Sequence, residues 1–195
     1  MNGFSKAPQL LDALQKNIST DMTLSDMKAI YDWGKNLPDS SIIRAALTDS
    51  NLLDAGDCGM GPRVSQLCPD DPTYNMIHKY FASVFIDAKT LSEKAPVQIA
   101  NGANNFSDLH QRVTTMLDPL GIQMADPVGH NRSAQTVILD YSGGQFPLTT
   151  AWLQSFFGAT VVAATPTNPA PARGQQTYGL VVVVGHDFAL RWLGQ

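Results

Sequence analysis

Four short stretches of this sequence carry residue types that could do chemistry. His186 and Asp187 follow the apolar run 181–184, so both would emerge at a strand end, where ligands commonly bind in α/β sheets. A histidine beside a carboxylate suits a general base or a metal ligand. Adjacent residues on an extended chain point to opposite sides, however, and no matching nucleophile is found. The plainer reading makes Asp187 the cap of the next turn and His186 an exposed residue. Asp140-Tyr141-Ser142-Gly143-Gly144 is a serine in a glycine-rich strand-to-helix turn. It departs from the nucleophile-elbow pattern Gly-x-Ser-x-Gly, because Asp140 stands where the first glycine belongs, and it reads as a turn. Asn101-Gly102-Ala103-Asn104-Asn105 precedes a helix whose first N–H groups could cradle a small anion. It lacks the glycine number and the lysine of a phosphate-binding loop, and a turn made for packing is its default. Cys58 and Cys68 bracket a segment with two glycines and a proline. They are either a disulfide closing a small loop, worth about 2–3 kcal/mol by chain entropy, or two unrelated thiols.

The elements that would position these residues follow from periodicity. Val97 and Ile99 supply a strand over 97–100, and Phe106, Leu109, Val113, Met116 and Leu117 recur at helical spacing over 106–118. Asn105 or Ser107 can open that helix and Gly121 can close it. Beyond it the pattern reads strand 122–125, strand 135–141, helix 147–157 opened by Pro147 and ended by Gly158, strand 159–164 and strand 179–184. The segment 165–178, rich in Pro and Gly, reads as an exposed mobile loop. In the first half, helices are expected over 5–18 and from Leu24, the latter behind a capping box at Thr23-Leu24-Ser25-Asp26. A strand is expected over 41–47, a loop over 48–62 and a short strand over 63–67. A third helix begins at Asp71-Pro72, with Tyr74, Ile77, Phe81, Val84 and Phe85 on its buried face. Of the tryptophans, Trp152 fits the buried face of helix 147–157, whereas Trp192 near the C-terminal end is expected to be exposed. The polar stretch 87–95 reads as a linker. The fold class is therefore α/β: an N-terminal helical and strand remnant over 1–86, then a small β-α-β-β-α-β-β domain with a central sheet over 96–195.

Bulk properties exclude several classes of function. Of the 195 residues 44% are hydrophobic and 15% charged, a globular composition. The formal charge of −4 with scattered basic residues argues against a nucleic-acid partner. No apolar run approaches the roughly 20 residues of a membrane helix, and residues 1–11 lack the basic start and apolar core of a signal peptide. Nothing in the sequence asks for a metal or another cofactor.

The strand, Asn101-Gly102, the helix and Gly121-Ile122 form a series that continues with Thr136-Val137-Ile138-Leu139-Asp140-Tyr141, Gly143-Gly144, and 181–184 with Gly185-His186-Asp187-Phe188. This order is similar to that of the C-terminal domain of LytR-type cell-envelope proteins. The first half, through helices such as APQLLDALQKN and YNMIHKYFASVFID, resembles the last part of a LytR–CpsA–Psr catalytic domain. Enzymes of that family transfer lipid-diphosphate-linked glycopolymers to the cell wall. Their pyrophosphate-holding arginines and metal-binding acids precede the part that this chain resembles, so the resemblance does not bring catalysis with it. It implies a non-catalytic accessory module outside the bacterial membrane, binding or positioning a wall glycopolymer or an envelope protein. The alternative is a fragment of the phosphotransferase itself. If strands 97–100 and 181–184 are parallel neighbours, Asn101, Gly102, Gly185 and Asp187 would form a shallow polar site at one sheet edge. Tyr141 and Gly143 would join it if their strand runs the same way.

Overall fold

The computed structural model describes residues 22–37, 43, 45–56, 58, 66–103 and 106–195. The helix expected over 5–18 lies outside them. The chain divides into two compact units, Met1–Ile42 and Ile43–Gln195. In the first, helix α1 (Leu24–Gly34) starts at the expected capping box: Thr23 Oγ1 accepts from the Asp26 N–H, and Asp26 accepts from the Thr23 N–H.

The second unit is an α/β fold, built on a central mixed sheet. It opens with a hairpin of β1 (Leu53–Gly56) and β2 (Gln66–Pro69), antiparallel, with a disulfide from Cys58, two residues past β1, to Cys68 on β2, their Cα atoms 5.4 Å apart. The described residues among 41–47 form no strand, and β1 lies within the stretch read as loop. Asp54, Ala55 and Gly56 are exposed, so no apolar alternation marks that strand.

Helix α2 (Asn75–Ser83) follows. Its buried face is Met76 and Tyr80, continued by Val84, whereas Tyr74, Phe81 and Phe85 are exposed, Phe85 at 89%. The expected face is thus rotated. Tyr74 precedes the helix at φ 62°, out of phase with it, and only Ile77 and Val84 of the expected set pack on the core. Residues 87–95, expected as a linker, lie inside the compact unit and carry helix α3 (Ala88–Ser92). Leu91 packs on the core. Glu93 accepts from the N–H groups of Leu148 at 3.0 Å and Thr149 at 2.8 Å, capping a helix 55 residues further on.

The sheet comprises β3 (Pro96–Asn101), β4 (Gln123–Met124), β5 (Val128–Gly129), β6 (Val137–Asp140), β7 (Thr160–Ala163) and β8 (Leu180–Val184), in the order β4-β3-β8-β6-β7 with β5 also on β3. Between them run α4 (Leu109–Leu117) and α5 (Pro147–Phe157), and α6 (His186–Trp192) closes the chain. Gly158 ends α5 at φ 60° as expected, whereas α4 ends at its C-cap Asp118 and passes into a 3-10 turn, Asp118–Leu120, which is the element that Gly121 closes at φ 85°. β8 is central, parallel to β3 and antiparallel to β6. All five of its residues are buried, as a two-sided core strand requires.

The two faces of the sheet differ. Val97, Ile99, Ile138, Leu180, Val182 and Val184 face α2, α4, α5 and α6, and join their side chains in one large core. Ala100, Leu139, Val181 and Val183 form a smaller cluster on the other face. There the 165–178 segment, read as an exposed mobile loop, is bound at several points. Gln98 Nε2 donates to the Asp126 and Gly174 carbonyls, at 2.8 and 3.1 Å, and its Oε1 accepts from the Gln176 N–H at 2.8 Å. Gln175 Nε2 donates to the Tyr141 hydroxyl at 2.9 Å.

β8 is closed off at both ends by glycines that admit no side chain. A Cβ on Gly179 would lie 2.3 Å from the Pro96 carbonyl oxygen, and one on Gly185 2.4 Å from the Gln135 carbonyl carbon.

Candidate functional site

The parallel pairing of β3 and β8, with Asn101 opposite Val184, brings Asn101, Gly102, Gly185 and Asp187 to one edge of the sheet. Tyr141 and Gly143 do not join them. β6 runs antiparallel to β8, with Asp140 opposite Leu180, so the turn after β6 emerges at the other end. The six-residue site expected from sequence is therefore split. The sense of β6 against β8 is set by the connections around it, and no residue of either strand records that.

At the Asn101 edge the polar groups are spent on one another. Asn101 Nδ2 donates to the Phe106 and Ser107 carbonyls at 2.9 and 3.0 Å, and its Oδ1 accepts from the Ala103 N–H at 2.9 Å. Asp187 accepts from the Thr136 hydroxyl at 2.7 Å and from Arg191 at 3.2 Å. The backbone donors at this edge are bonded too. Gly102 N–H reaches the Val184 carbonyl, His186 N–H that of Ser133, Asp187 N–H that of Ala134, and Gly185 N–H the Thr136 hydroxyl. The 130–136 segment fills this edge. Gly102 is needed for that close approach rather than for a turn: a Cβ there would lie 2.9 Å from Ser133 Cβ. The edge is a joint of strand, helix and loop, and its backbone donors point into protein.

At the opposite end Asp140 organises its own turn. One carboxylate oxygen accepts from the Ser142 N–H and hydroxyl, the other from the Gly144 N–H at 3.0 Å. Gly143 and Gly144 take φ 68° and 85°, which supplies the physical need for two glycines. The turn reading of Ser142 agrees with this geometry. Tyr141 is half-buried, and burial raises its hydroxyl pKa against the lowering effect of Gln175.

A charged cluster that the sequence did not single out lies elsewhere. Arg112 on α4 donates to Asp70 at 2.6 Å, to the Asn51 carbonyl at 2.7 Å and to Asp108 at 3.1 Å. Trp192 Nε1–H donates to the same Asp70 oxygen at 2.7 Å. Trp192 was expected to be exposed and is fully buried, in tilted ring contact with Phe188 and through it with Phe157 in the core. α6 has too few residues to carry a strong period, and the polar partner of the indole lies 122 residues away. Burial pushes the Asp70 carboxyl above its ordinary value, although Trp192 and Arg112 both bond it, and Asp54 adds to the rise. Only 5% of the Asp70 side chain is exposed, so loss of water outweighs the pairing. The cluster ties hairpin, α4 and α6 together. His110, on the same helix, is half-buried, and burial lowers its pKa.

Comparison with protein-family models, with curated proteins and with solved structures finds no match for this chain. Among the described residues no helix is long and apolar enough to cross a membrane, and no group of three His, Cys, Asp or Glu side chains could hold a metal ion.

Proposed function

We propose that this protein is a non-catalytic accessory module of the bacterial cell envelope, which binds or positions a wall glycopolymer. The observation that carries the reading is the disulfide from Cys58, just past β1, to Cys68 on β2. Structural disulfides persist in oxidising compartments and are rare in a reducing cytosol, which fits a place outside the membrane. The non-catalytic half of the reading accords with the way Asn101, Asp187, Asp140 and Ser142 are committed to internal bonds that hold the fold. The resemblance of the 96–195 region to LytR-type C-terminal domains points the same way.

Co-sedimentation with isolated wall sacculi tests the binding half. Saturable recovery in the pellet is expected, falling when the wall's glycopolymers are extracted. Protein that stays in the supernatant at every wall concentration would sink the reading. Incubation with a lipid-diphosphate-linked glycan and magnesium tests the other half, where turnover would make the chain an enzyme.

A further inference from the structure

Helix α2 buries one face and presents an aromatic stripe on the other. Met76, Tyr80 and Val84 point into the core, whereas His78, Phe81, Ala82 and Phe85 are exposed. The exposed four recur at i, i+3, i+4 and i+7, so they share the face opposite the core. Tyr74, one residue ahead of the helix, continues the stripe at its start. Tyr74, Phe81 and Phe85 are 51%, 47% and 89% exposed. We propose that this stripe pairs with the same stripe on a second copy of the chain, as an antiparallel helix pair across a two-fold axis.

Two observations set the stripe apart from scattered surface apolar residues. Phe85 lies between Val84 and Ile86, both buried, so anchors on either side hold its ring outward. Tyr74 sits at φ 62°, a left-handed conformation that a bulky residue rarely adopts. Such a conformation costs stability, and a ring that is half exposed gains little packing in return.

The spacing points to the occupant. Tyr74, His78, Phe81 and Phe85 are separated by four, three and four residues, an order that reads the same from either end. In an antiparallel pair each stripe therefore meets its copy in register, Tyr74 against Phe85 and His78 against Phe81, as an isologous contact requires. Ala82 on the same face leaves room for the two helices to approach. None of these residues carries a formal charge with histidine neutral, so the pairing brings no like charges together. An anionic lipid surface would ask instead for cations beside the rings, and the stripe has none.

The area fits a weak dimer. At about 200 Å² for a whole aromatic side chain, the three exposed parts come to roughly 350–400 Å² on each copy. With Asn75, His78 and Ala82 between the rings, a pair buries about 1,000 Å² in total, the lower limit for a specific interface. An interface of that size associates reversibly, in the micromolar to millimolar range.

Sedimentation velocity of the purified full chain across that range tests the pairing. The weight-average mass is expected to rise towards that of a dimer. Phe85→Ser should weaken association by about tenfold or more, since one ring is no longer buried, and the dilute variant should melt as the parent does. Tyr74→Gly should also weaken association, while its monomer melts at the same temperature or higher, because glycine accepts the left-handed backbone. Tyr178→Ser removes an exposed aromatic outside the stripe and should change nothing. Isotope-filtered NMR on mixed labelled and unlabelled chain should place Phe81 near His78, and Phe85 near Tyr74, of the other copy. A monomer at every concentration overturns the proposal, as does association that Phe85→Ser leaves unchanged or that Tyr178→Ser weakens equally. Contacts between copies that leave out Phe81 and Phe85 overturn it too. Recovery of a monomer on anionic lipid vesicles, lost in Phe85→Ser, would give the stripe to a membrane and overturn the pairing.

Discussion

One face of the central sheet meets four helices through aliphatic and aromatic side chains, whereas the other meets the 165–178 segment largely through glutamine side chains. The helical cover is non-directional and shared among many contacts, so it fails only when the whole unit fails. The loop cover hangs on a few directional bonds, chiefly those of Gln98. Such bonds can open locally while the rest of the unit stays folded. Two stabilities in one sheet are the expected result.

The largest effect should come from the helical face. Trp192→Ala removes a fully buried indole and also takes the donor from Asp70. A cost of about 3–5 kcal/mol is expected from the cavity, read as a lower midpoint in denaturant with α2, α4 and α6 lost together. A cost under about 1 kcal/mol would break the comparison, because this face would then not be cooperative.

On the loop face, Gln98→Leu removes three hydrogen bonds and leaves the Gln176 N–H without its acceptor. A cost of about 2–3 kcal/mol is expected, from roughly 1 kcal/mol for each bond. Amide exchange should accelerate over 169–178 and stay unchanged in α4. Equal acceleration everywhere would mean that the loop is part of the global unit.

Asp71 sharpens the contrast at the entrance to the helical layer. Burial would raise its pKa, but hydrogen bonds from Thr73 and from the N–H groups of Met76 and Asn75 prevail and hold it below the usual 3.8. The folded state therefore prefers the charged form. That stabilisation is complete above the unfolded value of 3.8 and is lost as pH falls through the lower folded value. Asp71→Asn should cost about 1–2 kcal/mol at neutral pH, as for a lost helix cap, and should flatten the acid limb of the stability curve. An unchanged acid limb would assign acid sensitivity to other carboxylates. The smallest effect, about 1 kcal/mol, is expected for Glu93→Ala, which uncaps α5 from a distance. Circular dichroism should show fraying without global unfolding, and full unfolding would mean that 87–95 holds more of the fold than its bonds indicate.

Legibility in the sequence follows the same division. α4 and α5 were readable because Val113, Leu153 and their neighbours repeat with the helical period, and β3 and β8 because they are short β-branched apolar runs bounded by glycine or proline. Features depending on partners far along the chain were not readable. Gln98 meets Gly174 across 76 residues, Arg112 meets Asp70 across 42, and neither leaves a local trace. The candidate site fell between these cases. The meeting of Asn101 with Asp187 followed from two parallel valine-rich strands, but the separation of Tyr141 depended on the direction of β6.

The two glycines that close off β8 carry a consequence for its valine run. Leu180-Val181-Val182-Val183-Val184 is almost the same sequence when displaced by two residues, and such a slip keeps every side chain on its original face. Side-chain pattern therefore discriminates poorly between correct and slipped pairings. Gly179 and Gly185 break that degeneracy, since a slip in one direction drives Val183 into the space beside Gln135, and a slip in the other drives Val181 against Pro96. They work as alignment pins, and a library varying both positions should return glycine alone at each.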